Sequence, residues 1–272
     1  MAAAALTDIE PLRPLLVRRP LGLFSDIDGT LAPIVPRPED AKVTPRCREL
    51  LAGLIGSGVQ VALITGRSLG VARSMVGIEA AAYAANHGLE FWIGGSREVV
   101  EGVAEYTGLV EQVLDEAGDL EAAGVQVERK DPGVAFHYRR VRDADAARAA
   151  ILRAIEVPTA VERFTVLEGR KVFELRPRIE ASKGTAARLL AQRLGVNGIL
   201  CMGDDRTDVD MFQTSSSMRE EGSEGRSIAV LSPEVAPDLL DAADYTVDGV
   251  EGVEWLLAEV LRVLGEKEPS GQ

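Results

Sequence analysis

Short apolar runs alternate along the chain with longer stretches of helical period. Leu21–Ser25 and Val59–Ile64 are near-continuous apolar runs, the pattern of strands buried on both faces of a parallel sheet. Between them, Pro45–Ile55 sets Cys47, Leu50, Leu51 and Leu54 at helical spacing. Thr44 is placed to cap that helix, and Pro45 takes its first position, where a missing N–H costs nothing. Strand, helix and strand in this order require a right-handed crossover between parallel strands. The rhythm returns late in the chain, with a helix at Lys183–Leu194, a strand at Gly198–Met202 and a helix starting at Asp208–Phe212.

The middle has a different pattern. Leu89–Ile93 and Glu98–Val100 flank Gly94-Gly95, a hairpin signal. A helix at Tyr106–Leu120 follows, then strands at Val125–Arg129 and Val134–Tyr138, a helix at Ala144–Ile155, and strands at Thr165–Leu167 and Val172–Leu175. This is an α+β unit spanning 104–177, inserted between the 1–103 and 178–272 parts of the core. The expected class is α/β, a Rossmann-like parallel sheet with an inserted α+β domain. The polar Ser-rich run Thr214–Ser227 reads as a mobile surface loop.

Composition narrows the function. A chain of 272 residues holds one large or two modest domains, and 46% hydrophobic with 27% charged residues is globular usage. The balance of 30 basic and 43 acidic residues, −13, leaves no cationic excess to neutralise nucleic acid or an anionic membrane. A small phosphorylated ligand, held by a few local cations and a metal, stays open. Cys47 and Cys201 lack metal-ligand spacing. No apolar stretch reaches the ~20 residues of a membrane helix. The opening MAAAALTDIEPLRP has no basic end followed by an apolar core, so a cytoplasmic location is expected.

Four polar segments stand at the places where a parallel sheet binds ligands, the carboxyl ends of its strands. They are Asp26-Ile27-Asp28-Gly29-Thr30, Thr65-Gly66-Arg67, Ser182-Lys183-Gly184 and Gly203-Asp204-Asp205-Arg206-Thr207-Asp208. Singly, the first reads as a polar turn, the second and third as helix caps, and the fourth as a solvated acidic loop. Together they fit phosphoryl chemistry. Asp26 would attack phosphorus, splitting one hard displacement into two easier ones. Asp28, two residues on in extended chain, would point to the same side, protonate the leaving oxygen and later deprotonate water. Mg²⁺ suits so oxygen-rich a site, with Asp26, the Asp28 carbonyl and Asp204 as ligands and Asp208 or Asp205 in support. Thr65 would hydrogen-bond a phosphoryl oxygen, and Lys183 would balance the charge of nucleophile and phosphate. Arg67 fits a phosphate contact and a helix cap equally well.

These four motifs resemble those of the haloacid dehalogenase superfamily of phosphohydrolases, from Asp26 to Phe212. The resemblance implies that the inserted unit is a mobile cap that selects substrate. Finer stretches, "PEDAKV", "NHGLE", "VERKDPGVAFHYR" and "VFELRP", resemble the trehalose-6-phosphate phosphatase family. That likeness implies trehalose 6-phosphate as substrate, with Glu128, Lys130, Arg139 and Glu174 gripping sugar hydroxyls. A monomer is expected, with a trehalose-phosphate synthase as candidate neighbour. Sucrose 6-phosphate and mannosyl-3-phosphoglycerate are the nearest rival substrates. A receiver-type signalling domain would need about half this length and no proton donor at Asp28. His87 and His137 have no assigned role, and Trp92 and Trp255 read as packing residues.

Overall fold

Every residue of Leu21–Ser25 is buried, since the run carries no charge until Asp26. Such a segment belongs in the middle of a sheet with helices on both faces. The protein is described by a computed structural model covering residues 3–266, apart from residues 131, 140, 170 and 234 and the side chain of Lys130. It divides into two compact units, Met1–Glu98 with Ala181–Gln272, and Val99–Glu180.

The strands of the first unit are β1 (Ala4–Ala5), β2 (Leu21–Ser25), β3 (Gln60–Ile64), β4 (Ala82–Ala85), β5 (Glu90–Ile93) and β6 (Ser96–Val99), the last running across the boundary. The second unit holds β7 (Gln126–Lys130), β8 (Gly133–His137), β9 (Phe164–Gly169) and β10 (Val172–Pro177). The chain then returns to the first unit with β11 (Gly198–Gly203), β12 (Glu224–Leu231) and β13 (Tyr245–Asp248).

Among the described residues, nine strands form the large sheet in the order β1-β13-β12-β11-β2-β3-β4-β5-β6. Pairing is parallel from β1 to β4, and β5 turns antiparallel. Register aligns Met202, Ser25 and Leu63 across β11, β2 and β3. The residues just beyond them, Gly203-Asp204, Asp26 and Ile64-Thr65, therefore leave the sheet at one level. Crossover helices cover both faces. Pro45–Gly56 starts on the Thr44 hydroxyl, which accepts from the Cys47 N–H at 3.0 Å. Its Cys47, Leu50, Leu51 and Leu54 enter the core with Val253, Leu257 and Val260 of the helix Gly249–Gly265. Each large side chain so buried contributes about 1.5–3 kcal/mol.

The second unit packs its own core. Its sheet runs β7-β8-β10-β9, antiparallel throughout. Phe136, Phe173 and Leu175 point to one face and meet Val110, Val113, Ile151 and Phe164. Tyr106 meets Phe164 edge-on with ring centroids 5.2 Å apart.

Two expectations need correction. Thr214–Ser227 is not a loop, for it is divided between a helix, Val209–Glu220, and β12. Several of its hydroxyls bond inside the fold: Thr214 donates to the Asp210 and Gly184 carbonyls, Ser217 to Gln213, and Ser227 to Asp244. Polarity alone therefore signalled solvent wrongly. Second, Ser182-Lys183-Gly184 follows no strand of the parallel sheet. It enters from the second unit, and a helix that runs back against the strands begins at their carboxyl edge.

Candidate active site

Ser182 accepts from the Gly184 and Thr185 N–H groups, and its own N–H donates to the Thr185 hydroxyl, a reciprocal cap that fixes the start of Lys183–Leu194. Lys183 is thereby held at the first helical position, and it is only 3% exposed. The usual fate of such a lysine is solvent. Here its Nζ lies 2.8 Å from Asp26 Oδ2 and 2.8 Å from Asp208 Oδ1.

Asp26 leaves β2 with its N–H donating to the Met202 carbonyl, so the backbone continues the ladder into the site. Asp208 ends a short turn in which its Oδ2 accepts from the N–H groups of Asp204 and Asp205 at 3.2 and 3.1 Å. Asp205 is exposed and caps the same turn. Both oxygens of Asp208 are thus engaged, one by Lys183 and one by the loop that carries Asp204. Gly29 has φ +76°, and an added Cβ would lie 1.9 Å from Asp204 Oδ2. The glycine serves the turn and also lets the Asp204 carboxylate lie directly on the DIDGT backbone. The Thr30 hydroxyl makes a long 3.5 Å contact to the same carboxylate.

One oxygen each from Asp26, Asp204 and Asp208 lie within 4.8 Å of one another. Three carboxylates beside one ammonium crowd negative charge into a small volume whenever they ionise. Burial, with Asp208 and Asp204 reinforcing it and Lys183 opposing, pushes the Asp26 carboxyl up to about 8. Burial and then Asp208 push Asp204 up to about 7. Burial also raises Asp208. Lys183 pays a burial cost of its own, but Asp26 and Asp208 outweigh it and hold the ammonium charged. This donor set fits a hard divalent cation, which would supply the missing positive charge through oxygen ligands.

Asp28 and Arg67 form a second pair. Arg67 Nε and Nη2 donate to the two Asp28 oxygens at 2.6 Å each, and Nη2 also donates to the Pro38 carbonyl at 2.9 Å. Arg67 thus spends its guanidinium on Asp28 and makes no helix cap, since the helix Leu69–Val76 starts at Ser68. The buried Thr65 hydroxyl accepts from the Arg67 N–H at 3.2 Å, leaving its own hydrogen to donate. Gly66 gives room to His87, whose Nε2 would lie 2.5 Å from an added Cβ. His87 therefore packs on the Thr65–Arg67 loop.

Glu128, Arg139 and Glu174 belong to the second unit. The Lys130 side chain lies outside the described residues. Glu128 Oε2 is 2.8 Å from His137 Nε2, and Glu174 Oε2 accepts from Arg176 Nη2 at 3.2 Å. Arg139 is exposed on the turn after β8. The sequence offered no sign of the Arg67–Asp28 or His137–Glu128 contacts. A spacing rule finds neighbours on one element, whereas Arg67 and Asp28 are 39 residues apart on different strand ends.

The chain matches the family described as trehalose-phosphatase over residues 24–250. It belongs to that family. All four polar motifs fall inside the trehalose-phosphatase match, as do Glu128, Lys130, Arg139 and Glu174. Trehalose-phosphate phosphatase B of Arabidopsis thaliana is 31% identical over 217 residues, which cover 74% of this chain and 56% of that protein. An uncharacterized glycosyl hydrolase of Mycobacterium tuberculosis is 36% identical over 218 residues, 76% of this chain but 16% of that protein. The chain thus spans little more than half of one curated relative and a small part of the other. The structure of Aspergillus fumigatus trehalose-6-phosphate phosphatase superposes with a TM-score of 0.67 at 25% identity, over 96% of this chain and 99% of that one. Among the described residues no helix is long and apolar enough to cross a membrane.

Proposed function

We propose that the protein is a Mg²⁺-dependent phosphatase that hydrolyses trehalose 6-phosphate to trehalose and phosphate through an aspartyl-phosphate. The observation that carries the chemistry is Asp26 held buried at 2.8 Å from Lys183, level with Asp204 and Thr65. The trehalose-phosphatase match supports the substrate.

In this reading Asp26 Oδ attacks phosphorus and the sugar oxygen departs, taking a proton from Asp28. Asp28 then removes a proton from water, which attacks the phosphoenzyme and frees Asp26. Arg67 must release at least one Asp28 oxygen for either transfer. Lys183 offsets the negative charge of Asp26 and the phosphoryl group, and its place at a helix N-terminus adds the partial positive charge of free N–H groups. The Thr65 hydroxyl donates to a phosphoryl oxygen. Asp26, Asp204 and the Asp28 carbonyl would hold Mg²⁺. Asp208, both oxygens being engaged, anchors Lys183 and the Asp204 loop. When bound, the ion supplies Lewis-acid charge that keeps phosphate and carboxylate from repelling.

The second unit serves as the substrate-selecting cap. Glu128, Lys130, Arg139 and Glu174 bind the sugar hydroxyls. The test is a panel of phosphorylated sugars assayed with Mg²⁺. Trehalose 6-phosphate should be turned over with kcat/KM at least about tenfold above sucrose 6-phosphate, a margin of roughly 1.4 kcal/mol. Strong preference for any other sugar phosphate would overturn the substrate, and autophosphorylation without phosphomonoester turnover would overturn the reaction.

A further inference from the structure

The sheet of the second unit has one face packed on its helices and one face that carries polar side chains. Phe136, Phe173 and Leu175 lie toward the core helices, so Ala135, His137, Glu174 and Arg176, alternating with them, lie on the other side. Pairing extends two rows across that polar side. Glu128 of β7 stands opposite Ala135 of β8, which stands opposite Glu174 of β10. In the next row Gln126 faces His137, which faces Val172. Two carboxylates therefore flank one methyl group, two strand spacings or about 10 Å apart at the backbone. A hydroxylated ring can bridge such a span with a hydrogen bond at either edge.

Ala135, directly across from Glu128, cannot hold a carboxylate. The group that does is diagonal, at His137: Nε2 to Glu128 Oε2 is 2.8 Å. Glu174 has the corresponding partner in Arg176, with Nε to Oε1 at 3.1 Å and Nη2 to Oε2 at 3.2 Å. A glutamate on an exposed strand has several free rotamers, and fixing them before the ligand arrives lowers the entropic cost of binding. Both Glu174 oxygens lie against Arg176, whereas His137 takes Oε2 of Glu128 and leaves Oε1 to accept from a sugar hydroxyl.

We infer that His137 is a specificity-determining positioning residue, orienting the Glu128 carboxylate toward the sugar of the substrate. This rests on the proposed role of Glu128 as a sugar contact. His137 acts through Glu128 and leaves the reacting phosphate alone.

The test uses the full chain with Mg²⁺, on trehalose 6-phosphate and on 4-nitrophenyl phosphate, which has no sugar. His137→Phe keeps a ring of similar size and removes the hydrogen bond. It should raise KM for trehalose 6-phosphate about five- to tenfold, with kcat changed by no more than about twofold. KM for 4-nitrophenyl phosphate should move by less than about twofold. His137→Gln, which keeps a donor at similar reach, should recover most of the loss. Adding His137→Phe to Glu128→Ala should cost nothing further, since the carboxylate it orients is gone. Equal losses on both substrates, no recovery in His137→Gln, or additive effects in the double variant would overturn the inference while leaving the sugar role of Glu128 standing. If Glu128→Ala itself leaves trehalose 6-phosphate KM unchanged, the sugar role and the inference fall together.

Discussion

Two carboxylate–base arrangements occupy opposite environments in this chain. In the first unit Asp26 and Asp208 hold Lys183 where its side chain is 2% exposed. In the second, Glu128 and His137 meet with side chains 49% and 34% exposed. Burial strips water from the first set, so each charge depends on its neighbours and none can be removed without stranding the rest. Water screens the second, and its members can change with little effect on the fold. On the proposed function, chemistry common to every phosphomonoester sits in the arrangement that cannot vary, and recognition of one sugar sits in the arrangement that can.

The buried set is most sensitive at Asp26, the nucleophile of the proposed reaction. Asp26→Asn removes the attacking oxygen but little volume, and kcat should fall by about 10⁴ or more while the far-UV circular dichroism is retained. Near-normal turnover would reject the assignment. Lys183→Met should do two kinds of damage. Loss of the buried charge should lower kcat about 10²–10³-fold, and three carboxylates left without an ammonium should cost about 3–5 kcal/mol in urea unfolding. A variant that loses activity at unchanged stability would show that solvent already neutralises the cluster.

Glu128→Ala sharpens the other side of the comparison. It should reduce kcat/KM on trehalose 6-phosphate about ten- to a hundredfold, with a far smaller loss on 4-nitrophenyl phosphate and less than about 0.5 kcal/mol in stability. Equal loss on both substrates would remove it from sugar binding.

The smallest effect separates the two regions by pH. Without metal, Asp26 and Asp204 are pushed up to about 8 and about 7, so the fold keeps protons that the unfolded chain has already released. Their contribution to stability is full below the ordinary carboxylate range near pH ~4, and it declines as pH rises through these folded values. Lys183, held above its ordinary value, loses its contribution only at higher pH. Chelator-treated protein should therefore show a Tm that falls by a few degrees from about pH 5.5 to about pH 8.5. Mg²⁺ should raise Tm more at the higher pH, where fewer protons compete for the carboxylates. A Tm that rises over that window without metal would contradict the buried cluster.

How much of this was legible from residues alone varies with the type of signal. Ala144–Ile155 and Lys183–Leu194 match their expected limits because Asp143 and Ser182 are strong caps ahead of periodic apolar positions. The strand β4 passed unnoticed, since Ala82-Tyr83-Ala84-Ala85 is poor in β-branched residues and becomes a strand by pairing with β3 and β5. The Ser-rich helix was hidden because hydroxyls bonded to carbonyls of their own helix look, in sequence, like those of a loop. At the site, residue types announced an acidic edge, and the structure gathers Asp26, Asp204 and Asp208 there. They could not announce that Lys183 would be buried, or that Arg67 would take both oxygens of Asp28, because those facts depend on which strand ends become neighbours.

The strand order also bears on how the chain is assembled during synthesis. β2, which carries Asp26, has β3 on one flank and β11 on the other. Its first neighbour emerges soon after it, whereas the second is translated only after the whole of Val99–Glu180. For that interval one edge of an apolar strand is unpaired, an open template for the wrong partner. The inserted unit, with its own core and mostly local pairing, can fold in the meantime. Lys183, Asp204 and Asp208 are translated only after that unit. The nascent chain therefore carries Asp26 long before it carries the charged groups that surround Asp26 in the folded site.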